Sequence, residues 1–276
     1  MEDKIQQIKL EELHDFQNHP YRVEENEELR ALAKSISENG VLSPAMARPR
    51  KEGGYELISG HRRKAACLLA GLDTMPVIVR ELDNNEAVII MVDSNTQREH
   101  ILPSEKAFAY KMKLDAIKKQ GKKTESTSRQ TVGRLERADI IGAGGDESGR
   151  QVQRYIRLTK LISRLLEMVD GKEIAFNPAV ELSYLPKNLQ EAVVECIRIF
   201  QCTPSFAQAV RMKKLYKQGE LDEGRVFCIM EEQKANQKEK ITFMVHEIKP
   251  YFPKGWKADR MKKYILGLLQ ENPVNK

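Results

Sequence analysis

YELISGHRRKAACLLAG, residues 55–71, reads as a strand that turns directly into a helix. The apolar run from Tyr55 to Ile58 ends at Ser59-Gly60, and a helix from about His61 to Ala70 is stopped by Gly71. Gly60 has no Cβ, so the chain can turn tightly there and its backbone can approach a ligand closely. The following helix offers free N–H groups and the positive end of its dipole to an anion. Arg62 and Arg63, in the first helical turn, add permanent charge and paired donors suited to phosphate oxygens. Taken alone, the segment also describes a surface helix with solvated arginines.

On either side, strand and helix signals alternate. Ile5, Ile8 and Leu10 begin an extended segment. Asn26 is placed to cap a helix through Asn39, with Leu29, Leu32, Ala33 and Ile36 on one face and Gly40 just past its end. Residues 75–80 (MPVIVR) read as a strand and Asn84–Val92 as a helix. The first hundred residues are therefore expected to form a small α+β unit. From Pro103-Ser104 onward the pattern is helical: an amphipathic helix over 105–119, a polar stretch over 120–131, a helix over 128–140 and a glycine-rich turn over 141–147.

A second polar segment, SNTQREH at 94–100, follows the α+β helices. Asn95 and Gln97 can read a base or sugar, Arg98 can hold phosphate, and the oxygens of Asn95 or Glu99 suit Mg²⁺. Helix capping by Ser94 or Asn95 is the plainer alternative. Two such segments about 35 residues apart favour a shared pocket.

Charge is unevenly spread. The chain of 276 residues carries a formal +6, but residues 1–103 hold 13 Lys/Arg against 18 Asp/Glu, a balance of −5. Residues 104–165 hold 15 against 7, or +8, and the remainder is +3. The middle block reads as a polyanion surface. Within it, a helix capped by Ser148 and running to about Leu165 carries Arg150, Arg154, Arg157, Lys160 and Arg164 on one face. Gln151 and Gln153 lie near its start, where a recognition helix presents side chains to base edges. A solvated basic face is the alternative reading.

No stretch approaches the roughly 18–20 apolar residues of a membrane span. The N-terminus lacks the apolar core of an export signal, so a cytoplasmic protein is expected. Cys67, Cys196, Cys202 and Cys228 lack metal-ligand spacing and read as reduced thiols. The apolar residues of 203–233, Trp256 and the last helix, with Met261, Tyr264, Ile265, Leu268 and Leu269, read as packing residues or a dimer contact.

The order PYRVEENEELRALAKSISENGVLSPAMARP, GGYELISGHRRKAACLLAG and SNTQREHILPSEKAFAY resembles the ParB/Spo0J partition-protein family over roughly residues 10–165. The resemblance implies an α+β ParB-like nucleotide-binding domain over 1–102 and an all-α DNA-binding domain with a helix-turn-helix over 103–200. A mainly helical C-terminal region over 201–276, which resembles the family only loosely and for which dimerisation is one reading, completes the expected organisation. It implies CTP and Mg²⁺ as ligands, a centromere-like double-stranded DNA site, a homodimer that closes as a clamp, and a cytoplasmic, nucleoid-associated location without membrane contact. A ParA-type ATPase partner is left open.

By position, Ser43, Gly60, His61, Arg62, Arg63, Ala66, Asn95, Gln97, Arg98 and Glu99 would bind nucleotide, with Val41–Pro44 against the base and Asn95 on the metal. Arg150, Gln151, Gln153, Arg154, Arg157 and Lys160 would bind DNA. Two departures bear on turnover: His61 and Ser94 stand where the family usually has acidic residues, so CTP binding is expected more firmly than hydrolysis. The alternatives are a DNA-binding regulator without nucleotide switching and a ParB-fold kinase or sulfiredoxin-like enzyme. The sulfiredoxin reading lacks a cysteine in the GHRR segment.

Overall fold

A computed structural model describes residues 4–95, 98, 100–124, 138, 141–142, 147–232, 245–253 and 255–271. Two compact units divide after Glu231.

The first unit opens with a five-stranded sheet built from β1 (Ile5–Lys9), β2 (Leu13–Asp15), β3 (Ala45–Pro49), β4 (Tyr55–Ser59) and β5 (Thr74–Val79), in the order β1-β5-β3-β4-β2. The pairs β1–β5 and β3–β4 are antiparallel, while β3–β5 and β2–β4 are parallel. Three helices belong to this layer: α1 (Glu27–Asn39), α2 (His61–Leu69) and α3 (Asn84–Asp93). Leu57 and Ile58 of β4 are both fully buried, and neighbouring strand residues point to opposite faces. Leu57 accordingly joins Leu29, Ile36, Cys67 and Val77 beneath α1 and α2, whereas Ile58 joins Phe16, Tyr21, Met91 and Val92 beneath α3. Both faces are thus covered. Arg48 and Glu56, paired across β3 and β4, form a largely buried ion pair closed by an Nε–Oε2 bond of 2.7 Å.

The expected strand-to-helix turn is present. Gly60 has φ 107°, and a Cβ there would stand 2.8 Å from the Cβ of Ala45 on β3. Both the left-handed backbone and the space demand glycine. The strands β2 and β3 were not legible in the sequence, being a three-residue strand and a proline-bounded one.

The helical part begins with α4 (Pro103–Thr124), which runs unbroken through Gly121, so the expected linker from residue 120 starts inside a helix. Then come α5 (Gly149–Leu158), α6 (Ser163–Asp170), α7 (Phe176–Leu182), α8 (Lys187–Phe200), α9 (Phe206–Lys217) and α10 (Glu223–Glu231). The single helix expected over 148–165 is in fact two. Ser148 does cap it, accepting from Gln151 N, but the helix ends at Leu158. The side chain of Gln190 enforces that break, accepting from Ile162 N at 2.8 Å and donating to the carbonyls of Lys160 and Leu185 at 3.1 and 2.9 Å. It replaces lost helical bonds with equivalent ones, as a buried backbone turn requires.

Leu158, Leu165, Leu182, Val193, Met212 and Ile229 share one core, so the expected boundary at residue 200 falls within packed helices. The physical cause is that α9 and α10 bury their apolar faces against α7 and α8 and not against each other alone. The second unit contains α11 (Val245–Ile248) and α12 (Ala258–Glu271), with Phe252, Trp256 and Tyr264 in ring contact at 5.5–5.9 Å between centroids. Trp256 is therefore a packing residue, with Arg260 stacked on it at 4.3 Å. No helix among the described residues is long and apolar enough to cross a membrane.

Gln190→Leu should lower stability by about 2–3 kcal/mol, because one buried and two part-buried backbone groups lose their partner. Chemical denaturation of the variant measures this; a change below about 0.5 kcal/mol would mean the turn holds itself.

Candidate nucleotide pocket and basic helical face

At the N-terminal end of α2 lies a cavity of about 530 Å³, within the usual range for a small-molecule site. Its walls carry Arg22, Arg62, Arg98 and His100 together with Glu24, Glu28 and Glu105. Of the residues singled out by the sequence, Arg62 and Arg98 meet here. Each is held by the protein. Arg62 donates from Nη2 to Glu28 Oε2 on α1 at 3.0 Å, and the Arg98 guanidinium lies 5.5 Å from the Tyr21 ring centroid. Burial, and then the proximity of Arg62, pull the Arg98 guanidinium below its ordinary pKa. Three arginines and three glutamates line the cavity, so their formal charges balance, and the two guanidiniums of Arg62 and Arg98 stand close enough to repel one another.

Arg63 faces elsewhere. Its Nη1 donates to the Pro44 carbonyl at 2.7 Å and to Ser43 Oγ at 3.3 Å, so it clamps the 41–44 loop onto α2. Burial lowers its pKa. The loop in turn holds Leu42 85% exposed, an apolar side chain with no cover within the described chain. Ala66 is fully buried in the sheet-side core and contributes packing. Gln97 and Glu99 lie outside the described residues.

His61 is buried rather than presented to the cavity. Its Nε2 accepts from Phe16 N at 3.5 Å, so the ring proton sits on Nδ1. Its ring stacks on that of His19 at 3.8 Å between centroids. Burial, reinforced by His19, pushes its pKa down to about 3, leaving a neutral imidazole at this position. Ser94 and Asn95 both cap α3: the Ser94 hydroxyl and Asn95 Nδ2 donate to the Met91 carbonyl at 3.0 and 2.8 Å. Asp93 pairs with the buried ammonium of Lys113 on α4. Among the described residues no cluster of three or more His, Cys, Asp or Glu side chains could hold a metal by itself.

Sequence reasoning missed Arg22, Glu28, His100 and Glu105. Glu105 is buried, with Oε1 accepting from Arg22 N at 2.7 Å and Oε2 from Leu102 N at 3.0 Å. Its signal was the helix start at Pro103, since a Glu in a first turn is placed to cap backbone donors. Its neighbours on α4 point to other parts of the chain. Ser104 N and Oγ donate to Asp170 at the end of α6, at 2.9 and 2.5 Å. Lys106 Nζ and Tyr110 Oη donate to Glu147, just before α5, at 2.7 and 3.1 Å.

Around α5 the helical residues at Ala138 and Ile141 pack with Tyr110, Leu114 and Val152. Glu147 N bonds the Gly142 carbonyl at 3.0 Å, and a Cβ on Gly142 would collide with the Glu147 carbonyl at 1.8 Å. Gly142 and Glu147 are thus held together just before α5, while the expected helix over 128–140 and the turn over 141–147 lie largely outside the described residues. On α5, Arg150 is exposed, while Arg154 donates to Gln151 Oε1 at 3.1 Å and stacks 5.0 Å from the Phe176 centroid. Gln153 is half-buried, and Lys160 is exposed in the turn after α5. Arg157 donates to the Ser183 carbonyl at 2.8 Å. The basic stripe is thus shortened: Arg164 stands on α6, because the break at residues 159–162 turns the chain.

Residues 1–96 match the model of the ParB N-terminal domain. The chain is 40% identical over 131 residues to a probable chromosome 1-partitioning protein ParB of Deinococcus radiodurans, covering 48% of this chain and 43% of that one. It is 28% identical over 191 residues to a nucleoid occlusion protein of Listeria monocytogenes, covering 69% and 61%. A C-terminally truncated ParB from Caulobacter crescentus, solved with CTP-gamma-S, aligns at 26% identity over 69% of this chain and 99% of that one, with a TM-score of 0.33. The chain spans about half the length of the curated relatives it matches.

Because His61 is neutral when folded and ordinarily titrates near 6.5, the unfolded chain takes up the extra proton on acidification. Stability should therefore fall by up to about 1.4 kcal/mol per pH unit as pH drops from about 6.5 towards 4, and be fully present above 6.5. Comparing urea midpoints of the wild type and His61→Gln across this window isolates the effect. Parallel curves for the two proteins would place the acid sensitivity elsewhere.

Proposed function

We propose, from the membership of residues 1–96 in the ParB N-terminal domain family, that this protein is a site-specific DNA-binding partition protein whose grip on duplex DNA responds to CTP. The observation that carries the reading is the first turn of α4. There, adjacent residues bond the cavity wall (Glu105 to Arg22 N) and the helical domain (Ser104 to Asp170). A change on one side of this turn acts on the other through fixed hydrogen bonds.

The cavity residues support a triphosphate ligand. Phosphate oxygens take the place of Glu28 on Arg62, releasing the first turn of α1, and Arg98 supplies a second guanidinium close by. Replacing one carboxylate by a ligand with more charge strengthens these charge-assisted bonds. The clamped 41–44 loop offers Leu42 as an apolar cover for a base. Asn95 spends its Nδ2 on α3, and its Oδ1 would be the protein oxygen offered to a Mg²⁺ otherwise held by phosphate oxygens and water, which would offset the phosphate charge. His61, neutral and bonded to Phe16 N, is a poor base for water, so nucleotide binding exceeds turnover.

On the DNA side, α5 is the recognition helix, with Arg150 and Gln151 in its first turn directed to the groove. Arg154 and Arg157 are positioned by Phe176 and Ser183, Gln153 lies on the same helix, and Lys160 adds a phosphate contact at its end. The exposed Tyr264, Leu268 and Leu269 of α12 support homodimerisation. The protein acts in the cytoplasm at the nucleoid. A ParA-type ATPase is a partner of the same reading. Likeness to a nucleoid occlusion protein favours one further role for the same machinery, spacing division away from DNA, and mapping the bound sites along the replicon separates the two.

Titration with the four nucleoside triphosphates, with and without DNA recovered by selection from a randomised pool, tests the proposal. CTP should bind with Mg²⁺ in preference to the others. Arg62→Ala should weaken it by about tenfold or more, the loss of one charge-assisted contact. Equal indifference to all four nucleotides with intact DNA selectivity would leave a plain DNA-binding regulator.

A further inference from the structure

Arg157, at the far end of α5, stands beside two lysines that neither the cavity nor α5 itself accounts for. Tyr184, in the turn after α7, is 37% exposed. The Arg157 guanidinium stands 4.0 Å from its ring centroid, with Nε donating to the Ser183 hydroxyl at 3.2 Å. From α9, Lys213 Nζ stands 4.1 Å from the same centroid and Lys217 Nζ 5.9 Å. Glu181 pairs with Lys213 at 2.6 Å, so one carboxylate is bonded into a group of three cations. The ring face attracts cations, but at an exposed position this offsets only part of their mutual repulsion. The cluster is built to receive an anion.

Its place on the helix says which anion. Ten residues of α5 span about 15 Å, and the major groove of B-DNA is about 12 Å wide. A helix whose first turn reaches base edges therefore brings its last turn to the phosphates that border the groove. We propose that Tyr184, Lys213 and Lys217, together with Arg157, form a phosphate clamp on the duplex strand flanking the groove entered by α5. The clamp rests on the reading of α5 as a recognition helix. It draws α9, which lies outside the helix-turn-helix, into the DNA surface, and its contribution is independent of sequence because phosphates carry none.

The test uses the full chain, with a duplex selected by the protein from a randomised pool and a scrambled duplex, titrated by fluorescence anisotropy over a salt series. Lys213→Gln/Lys217→Gln should weaken both duplexes about tenfold or more near 0.15 M salt. It should also reduce the slope of log affinity against log salt by about two. Discrimination between the duplexes and CTP affinity should stay as in the wild type. Since Lys213 is bonded to Glu181, the single Lys217→Gln keeps the test open if the double variant does not fold; its slope should fall by about one. An unchanged slope in a folded Lys217→Gln overturns the clamp. So does a change in discrimination, which would make these base contacts. If the wild type itself fails to prefer any duplex, the recognition-helix reading fails, an outcome distinct from failure of the clamp.

Discussion

The first turn of α4 carries the constraint on which the rest of the first unit depends. A buried carboxylate is costly unless several donors satisfy it, and Glu105 has two backbone donors, Arg22 N and Leu102 N. One comes from the segment after β2 and one from its own helix start, so the side chain fixes where α4 leaves the sheet domain. Asp170 does the reciprocal work from α6, capping the free Ser104 N–H at the positive end of the α4 dipole. Removing either carboxylate leaves part-buried backbone donors at the start of α4 without their side-chain partner.

The same economy governs the charged sites. Each arginine that a phosphate would approach is already held by a protein group: Arg62 by Glu28, Arg98 by Tyr21, Arg154 by Phe176 and Arg157 by Ser183 and Tyr184. These partners are a carboxylate, a hydroxyl and backbone carbonyl, and ring faces, so each guanidinium is ordered in advance. Under the proposed reading, a phosphate would meet these groups without the cost of ordering a free side chain. Arg63 differs. Its carbonyl partners belong to the 41–44 loop, and its role is to hold that loop in place.

Local signals in the chain determined a good deal. The left-handed Gly60, the Asn26 and Ser148 caps, the Gly40 stop and the alternation of strands and helices in the first hundred residues depend on neighbours within four or five positions. Such interactions are written in consecutive residues, and the α+β class of the first hundred residues followed from them, whereas the ParB likeness came from the resemblance carried by the order of the motifs. The motif residues around 60 and 95 were legible for the same reason.

What each of those residues touches was decided by tertiary structure. Periodicity put Arg154, Arg157 and Arg164 on one face, yet Gln190, arriving from α8, breaks the helix after Leu158 and sends Arg164 to another element. Composition marked Arg62 and Arg63 as a pair, but only the fold turns one to the cavity and the other to the Ser43-Pro44 backbone. His61 looked like a ligand until the sheet packed it against His19. The reason is physical: a side chain's charge state and partner depend on burial and on groups tens of residues away, which no local pattern encodes.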